Sequence, residues 1–325
     1  MTGKAMKLAV TLLPMRCIQF MTMAYALIVL FIPDTGRADP TTKDSTDLQR
    51  PESLTVGVGD LVIRIDGPKL WTLSRIDYQK TVMAVEDSAY GTIMTIRGVG
   101  ALGSAHFLDV PNKPGQVEKE NVTQLQFFLD DRLVTEVSPK MSLHGQSFRM
   151  ERRSKIRAID VESSLSLRDG VLIESARVRT EAAVDLRIAA AMMYAWTPTA
   201  TAYLFGDDRG LRNRGTFLPD IAKPTEGGDK AARWMAVYDA PSGKGAVSYV
   251  VKQPPGAGTW LQFTDAPKVY RKMRLLFFSE QIMPAGFDGT FQTATGFFSA
   301  AESEWEAKAQ QLATELKTLA ATLNQ

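Results

Sequence analysis

The chain has 325 residues, 45% of them hydrophobic, which is enough for one large all-β domain or two smaller ones. Formal net charge is +2, and residues 1–38 alone carry +3 (Lys4, Lys7, Arg16 and Arg37 against Asp34), so the remainder stands at −1. That lacks the basic excess of a general nucleic-acid binder. The one cysteine, Cys17, lies in the same segment, so the rest has no disulfide, thiolate nucleophile or cysteine-based metal site.

Lys4 and Lys7 lead into an apolar stretch, residues 18–33 are almost uninterruptedly apolar, and Gly36-Arg37-Ala38 sets small residues at −3 and −1. The pattern predicts a signal peptide over residues 1–38, and hence an exported, periplasmic or extracellular product with no stable membrane insertion after cleavage. Retention of the run as an anchor is the alternative. Residues 39–52 are polar with two prolines and read as a flexible linker.

Residues 53–298 read as one β-sandwich domain. Short strands are predicted at 54–58, 61–65, 71–78, 81–85 and 91–97, punctuated by Asp66-Gly67-Pro68 and the glycines of 98–103. Residues 106–120, with Pro111, Pro114 and Gly115, form a predicted long loop of the kind on which sites are built. A hairpin follows around Asp130-Asp131, from 122–129 to 133–137.

The stretch 148–196 carries the longest strand patterns. Phe148, Met150 and Ile156 stand on one parity and Arg149, Glu151, Arg153, Lys155 and Arg157 on the other, which places them on opposite faces of a strand. The apolar parity switches at Ile159, read as a bulge or bend. It then runs through Val161, Leu165 and Leu167 to the hairpin signal Asp169-Gly170. The run 184–196 is apolar on one face throughout and on both faces in its second half, as in a sandwich core, although its Ala and Met content also suits a helix. Strands are expected again at 201–205, 233–238, 246–251, 260–263, 270–278 and 290–298, with a second long loop over 206–229. Residues 299–325 read as a C-terminal helix packed on the sandwich: Ser299 and Glu302 form a capping box, and Trp305, Leu312, Leu316, Leu319 and Leu323 an apolar stripe.

No phosphate loop, dinucleotide fingerprint, zincin helix or nucleophile elbow is present, and neither a cofactor nor a metal is expected. With two histidines, His106 and His144, a three-imidazole site within one chain is excluded. His106 closes a glycine-rich strand at the start of the long loop and is the better candidate for proton transfer. The stripe Arg149, Arg153, Lys155 and Arg157 needs carboxylates or an anionic ligand between its charges. Glu151, Glu162 and Glu174 are the candidate acids, and a groove for an acidic glycan is the functional reading. Trp260, after a Pro/Gly-rich segment, is the aromatic best placed at a rim to stack on a sugar.

The residues from Gly57 to His106, with Ile65-Asp66-Gly67-Pro68-Lys69-Leu70-Trp71, Ser88-Ala89-Tyr90-Gly91 and Gly103-Ser104-Ala105-His106, resemble the opening of proteins in the galactose mutarotase-like superfamily. The resemblance implies a large antiparallel β-supersandwich, shared by aldose epimerases, glycoside hydrolases and polysaccharide lyases. It also implies a histidine acid and a glutamate base acting on a sugar ring, with His106 at the acid's place. The reading is therefore a mostly-β sandwich with a C-terminal helix, exported and acting on carbohydrate or polysaccharide by acid/base chemistry. In it His106 and Glu174 move protons, and Arg149, Arg153, Arg157 and Trp260 hold the substrate. The alternative is a non-catalytic carbohydrate-binding or scaffold protein of the cell envelope.

Overall fold

The computed structural model describes residues 50–85, 91–103, 117–219, 224–254 and 260–323. In chain order the strands are β1 (Ser53–Val58), β2 (Leu61–Asp66), β3 (Thr72–Tyr78), β4 (Thr81–Ala84), β5 (Ile93–Ile96), β6 (Gly100–Gly103), β7 (Val117–Lys119), β8 (Asn121–Leu129), β9 (Arg132–Leu133), β10 (Lys140–Gly145) and β11 (Ser147–Ile156). They continue as β12 (Ile159–Arg168), β13 (Val171–Thr180), β14 (Val184–Trp196), β15 (Ala202–Asp207), β16 (Gly210–Thr216), β17 (Thr225–Asp229), β18 (Trp234–Asp239), β19 (Lys244–Lys252), β20 (Trp260–Ala266), β21 (Tyr270–Met283) and β22 (Asp288–Ser299), followed by α1 (Trp305–Leu323). The fold is mostly β, as the alternation predicts.

The strands form two large sheets, antiparallel but for the pairs β1–β10 and β6–β7. One runs β10-β1-β2-β3-β4-β14-β21-β20-β17, with β5, β6 and β7 built onto β14. The other runs β16-β15-β18-β19-β22-β13-β12-β11-β8-β9. Inward side chains of both meet in the main core, which contains Leu54, Ile63, Phe148, Val161, Leu172, Trp196, Phe277 and Phe291. β14 is a strand, so packing on both faces overrides the helix propensity of its alanines. Two-residue turns fix the register. Gln79-Lys80, Asp130-Asp131 and Asp169-Gly170 all take positive φ, as the right-handed twist of tight hairpins requires.

Several expectations change. The parity switch near Ile159 is a hairpin rather than a bulge. Ile156 pairs with Ile159 across the two-residue turn Arg157-Ala158, and Arg157 has φ 55. The expected strand at 133–137 is only the two residues of β9. The expected 206–229 loop contains β16 and β17, and His144 lies on β10, an edge strand. β16 and β17 are largely exposed and lack an apolar face, so period-two reasoning has nothing to detect there, whereas β10 sets only Met141 and Leu143 against the core. Ser299 closes β22, and its hydroxyl meets Lys244 and Gln79 instead of capping a helix. α1 begins at Trp305 and presents mainly small residues, Ala309, Ala313, Leu316 and Ala320, to the outer face of the second sheet beside Tyr238, Val247 and Phe298. A Cβ on Gly296 would stand 3.0 Å from Leu312 Cδ1, so the missing side chain lets the helix sit close.

Among the described residues no helix is long and apolar enough to cross a membrane, and no group of three or more His, Cys, Asp and Glu is arranged to hold a metal.

Candidate functional site

The strands β8, β11, β12 and β13, with the first residues of β22, form the part of the second sheet whose outer face α1 leaves open. Register sets their outward side chains in rows across the strands. One row is Gln126, Glu151, Ser164, Ser175 and Gln292; the next is Gln124, Arg153, Glu162, Arg177 and Thr290. Gln292 apart, they line a groove of about 420 Å³, which also touches Arg152 and Ser163. Its ionic groups alternate. Glu162 lies 3.7 Å from Arg153, 3.9 Å from Arg177 and 2.9 Å from Arg179, while Arg177 makes a two-pronged contact with Asp288 at 2.6 and 2.7 Å. Arg149 pairs with Glu151, and Lys155 with Asp160 at 3.4 Å. The two rows thus balance two arginines with two glutamates. The pair with Asp288 holds that carboxyl below the ordinary aspartate range and raises Arg177.

A second polar cluster lies on the reverse side of the same strands, between the sheets. Arg152 is 4% exposed: its Nε donates to Ser163 Oγ (3.1 Å), Nη1 to the Leu70 carbonyl (2.7 Å), and Nη2 lies 3.3 Å from Glu120 Oε1. The Leu70 carbonyl is presented by a turn in which Leu70 and Trp71 both take positive φ. Ser154 also donates to Glu120 Oε1, whereas Glu120 Oε2 is buried with no partner among the described residues. Two strands away, Glu174 Oε2 accepts from the Tyr194 hydroxyl, which accepts from Thr295 Oγ1 at 3.2 Å; Thr295 and Ser248 share a further bond of 2.9 Å. Burial pushes the Glu174 carboxyl up to about 7, against the opposing effects of the Tyr194 bond and the Arg152 charge. Tyr194 is raised well above its ordinary value by burial and by Glu174. Glu174, Arg152, Trp71, Thr92 and Met192 face a cleft of about 50 Å³. Met192 has φ 51 at a bulge in β14, a conformation a methionine adopts only where its surroundings impose it.

The residues expected to form one site are therefore spread over several places. His106 lies outside the described residues. Arg149 and Arg153 share the outer face, as the alternation requires. Arg157 sits on the β11–β12 turn, off the stripe. Glu174 points to the opposite side of the sheet and lies near Arg152 instead of the stripe, while Glu151, Asp160 and Glu162 balance the arginines. Trp260 is on the outer face of the other sheet, against Ile93, Ala190, Met193 and Leu276, with Lys230 Nζ 5.2 Å from its ring centre. Arg152, Glu120, Gln124 and Gln126 escape the sequence reading, and Tyr194 belongs there to the apolar face of 184–196 with no link to Glu174. Arg152 and Ser154 had a legible signal, since they stand on the apolar parity between Met150 and Ile156.

Solved structures similar to this one include the galactosidase domain of an α-galactosidase-sucrose kinase (9% identity, 77% of this chain and 41% of that one, TM-score 0.49). Others are the Slr1438 protein from Synechocystis sp. PCC 6803 (10%, 78% and 98%, 0.48) and a galactose mutarotase-like protein from Clostridium acetobutylicum (8%, 75% and 94%, 0.45). The chain spans less than half the length of the first. Galactose mutarotase-like and aldose 1-epimerase proteins thus recur among its structural neighbours at low identity, with galactosidase domains beside them. No family model and no curated protein matches the sequence.

Proposed function

We propose that this is an exported carbohydrate-binding protein that holds a neutral glycan in the outer groove of β8, β11, β12, β13 and β22. The observation that carries the reading is the chemistry of the groove floor: guanidinium and carboxylate groups in balance, interleaved with Gln124, Gln126, Ser164, Ser175 and Thr290. A sugar hydroxyl both donates and accepts, and a floor of alternating donors and acceptors meets it without net charge. Its volume of about 420 Å³ falls in the range of small-molecule sites. An acidic glycan is disfavoured because carboxylates already lie between the arginines. Export rests on the signal pattern of residues 1–38 and is checked by an intact mass that begins at Asp39.

The catalytic alternative keeps Glu174, whose raised pKa suits proton transfer at neutral pH. The described cleft beside it, at about 50 Å³, has room for a few waters and not for a sugar ring. Screening neutral and acidic glycans decides between these readings. Binding of neutral glycans without turnover, weakened about tenfold or more by Gln126→Ala as the loss of a made hydrogen bond predicts, is the expected result. Turnover abolished by Glu174→Gln but not by Gln126→Ala would replace it with the catalytic one. Preference for acidic glycans would refute the neutral-ligand claim.

A further inference from the structure

Among the described residues, the part of the outer face that α1 leaves open carries one aromatic ring, on β8, and the proposal below rests on the glycan reading above. On the second half of β8 the outward side chains are Gln124, Gln126 and Phe128. Gln124 and Gln126 begin the two rows of the groove floor, and Phe128 begins the next row, opposite Arg149. Outward neighbours on a strand stand about 6 to 7 Å apart, so the Phe128 ring adjoins the polar floor at its edge. Phe127 and Phe148, the other phenylalanines of β8 and β11, point into the core and stack on each other there. Phe128 instead remains half-buried on the solvent side of a strand whose other outward and exposed positions, Asn121, Thr123, Gln124 and Gln126, are polar.

What covers the ring is the Arg149 guanidinium, 4.0 Å from the ring centre, which also pairs with Glu151 in the adjoining row. Arg149 and Glu151 keep 37% and 44% of their side-chain surface exposed. Guanidinium–ring contacts and ion pairs at that exposure are weak, so a ligand displaces the cover at little cost.

We propose that Phe128 is a stacking platform for a second sugar unit, capped in this structure by Arg149, so that the groove takes an oligosaccharide and not a single sugar. The polar rows hold one ring by its hydroxyls; the next ring lays its apolar CH face on Phe128. Sugar rings offer both surfaces, and a protein face that sets a flat apolar ring beside alternating donors and acceptors matches both.

Titration calorimetry tests this with neutral sugars of increasing length, from glucose, xylose and mannose to their β-1,4-linked oligomers. Affinity is expected to rise about tenfold between the single sugar and the short oligomers, the scale of one aromatic contact. Phe128→Ala and Phe128→Leu should both remove that rise while leaving the single sugar within about twofold, since neither touches the polar rows. Leu keeps the apolar bulk and guards against a folding defect in the alanine variant. Arg149→Ala, which uncovers the ring, should leave oligomer affinity unchanged or raise it. A length dependence that persists in both Phe128 variants overturns the platform, and so does a loss in Arg149→Ala as large as that in Gln126→Ala. Equal binding of short and long sugars removes this inference and spares the glycan reading, whereas no binding at any length removes both.

Discussion

Arg152 and Arg153 are neighbours on β11 with the same side chain and opposite surroundings. Arg152 points between the sheets, 4% exposed, and spends its donors on Ser163, the Leu70 carbonyl and Glu120. Arg153 points outward with 64% of its side chain exposed and rests 3.7 Å from Glu162. The first ties the second sheet to the β2–β3 connection and to the residue preceding β8; the second belongs to an open polar floor. Strand parity alone separates a group that holds the sandwich together from one that is free to meet a ligand. The two sides of this sheet should then differ in energy as they do in geometry.

The largest expected effect is on the inner side. Arg152→Met leaves the Glu120 carboxylate buried without its cation, and breaking a buried pair in this way costs about 3 to 5 kcal/mol. Arg153→Met removes an exposed contact worth less than about 1 kcal/mol. Chemical denaturation of both variants measures the contrast, and the double change Arg152→Met with Glu120→Gln should recover part of the loss because it removes the stranded charge. Equal destabilisation by the two methionine variants would show that the inner network is not a staple.

Next in size is a pH effect confined to Glu174. Its carboxyl is raised from an ordinary 4.5 to about 7, so between those values the folded protein binds a proton that the unfolded chain has released. Stability supplied by the protonated form is fully present below about 4.5, falls as pH rises, and is lost above about 7. The shift corresponds to at most about 3 kcal/mol. Glu174→Gln mimics the neutral carboxyl, so it should match the wild type near pH 4.5 and exceed it above pH 7. If the two stability profiles run parallel across that window, the carboxyl is ionised in the fold and the assignment fails.

The comparison also explains what could be read in advance. Alternation placed Arg149 and Arg153 together on one face, and Asp130-Asp131 and Asp169-Gly170 marked their turns, because both signals are local. Arg157 obeys the same parity yet leaves the stripe, since Arg157-Ala158 reverses the chain and a hairpin imitates a bulge when only the parity of its flanks is seen. Glu174 was legible as a carboxylate of interest but not as Arg152's neighbour. That proximity depends on the register of three strands and on packing against Tyr194 from the other sheet, and neither leaves a trace in sequence spacing. Phe128 was hidden for a related reason: in Gln126-Phe127-Phe128 two identical residues face opposite ways, and the ladder decides which one reaches solvent.

The smallest expected effect tests the outer side directly. Glu162 takes part in ion pairs with Arg153, Arg177 and Arg179, so Glu162→Gln turns a floor of two arginines and two glutamates into one with a net charge of +1. The change keeps size but exchanges one acceptor oxygen for an amide donor, and at a partly exposed ion-pair site should move stability by no more than about 1 kcal/mol. Its effect should appear in what binds. Affinity for a neutral oligosaccharide should fall only modestly, by a few-fold, while an acidic oligosaccharide gains and its binding becomes sensitive to salt, because exposed charges are screened beyond about 10 Å at 0.1 M. In the wild type the balanced floor predicts neutral-sugar affinity that hardly changes with ionic strength. A wild-type protein whose binding is already strongly salt-dependent, and a Glu162→Gln variant that gains nothing with acidic sugars, would together mean that ligand meets this protein away from the groove.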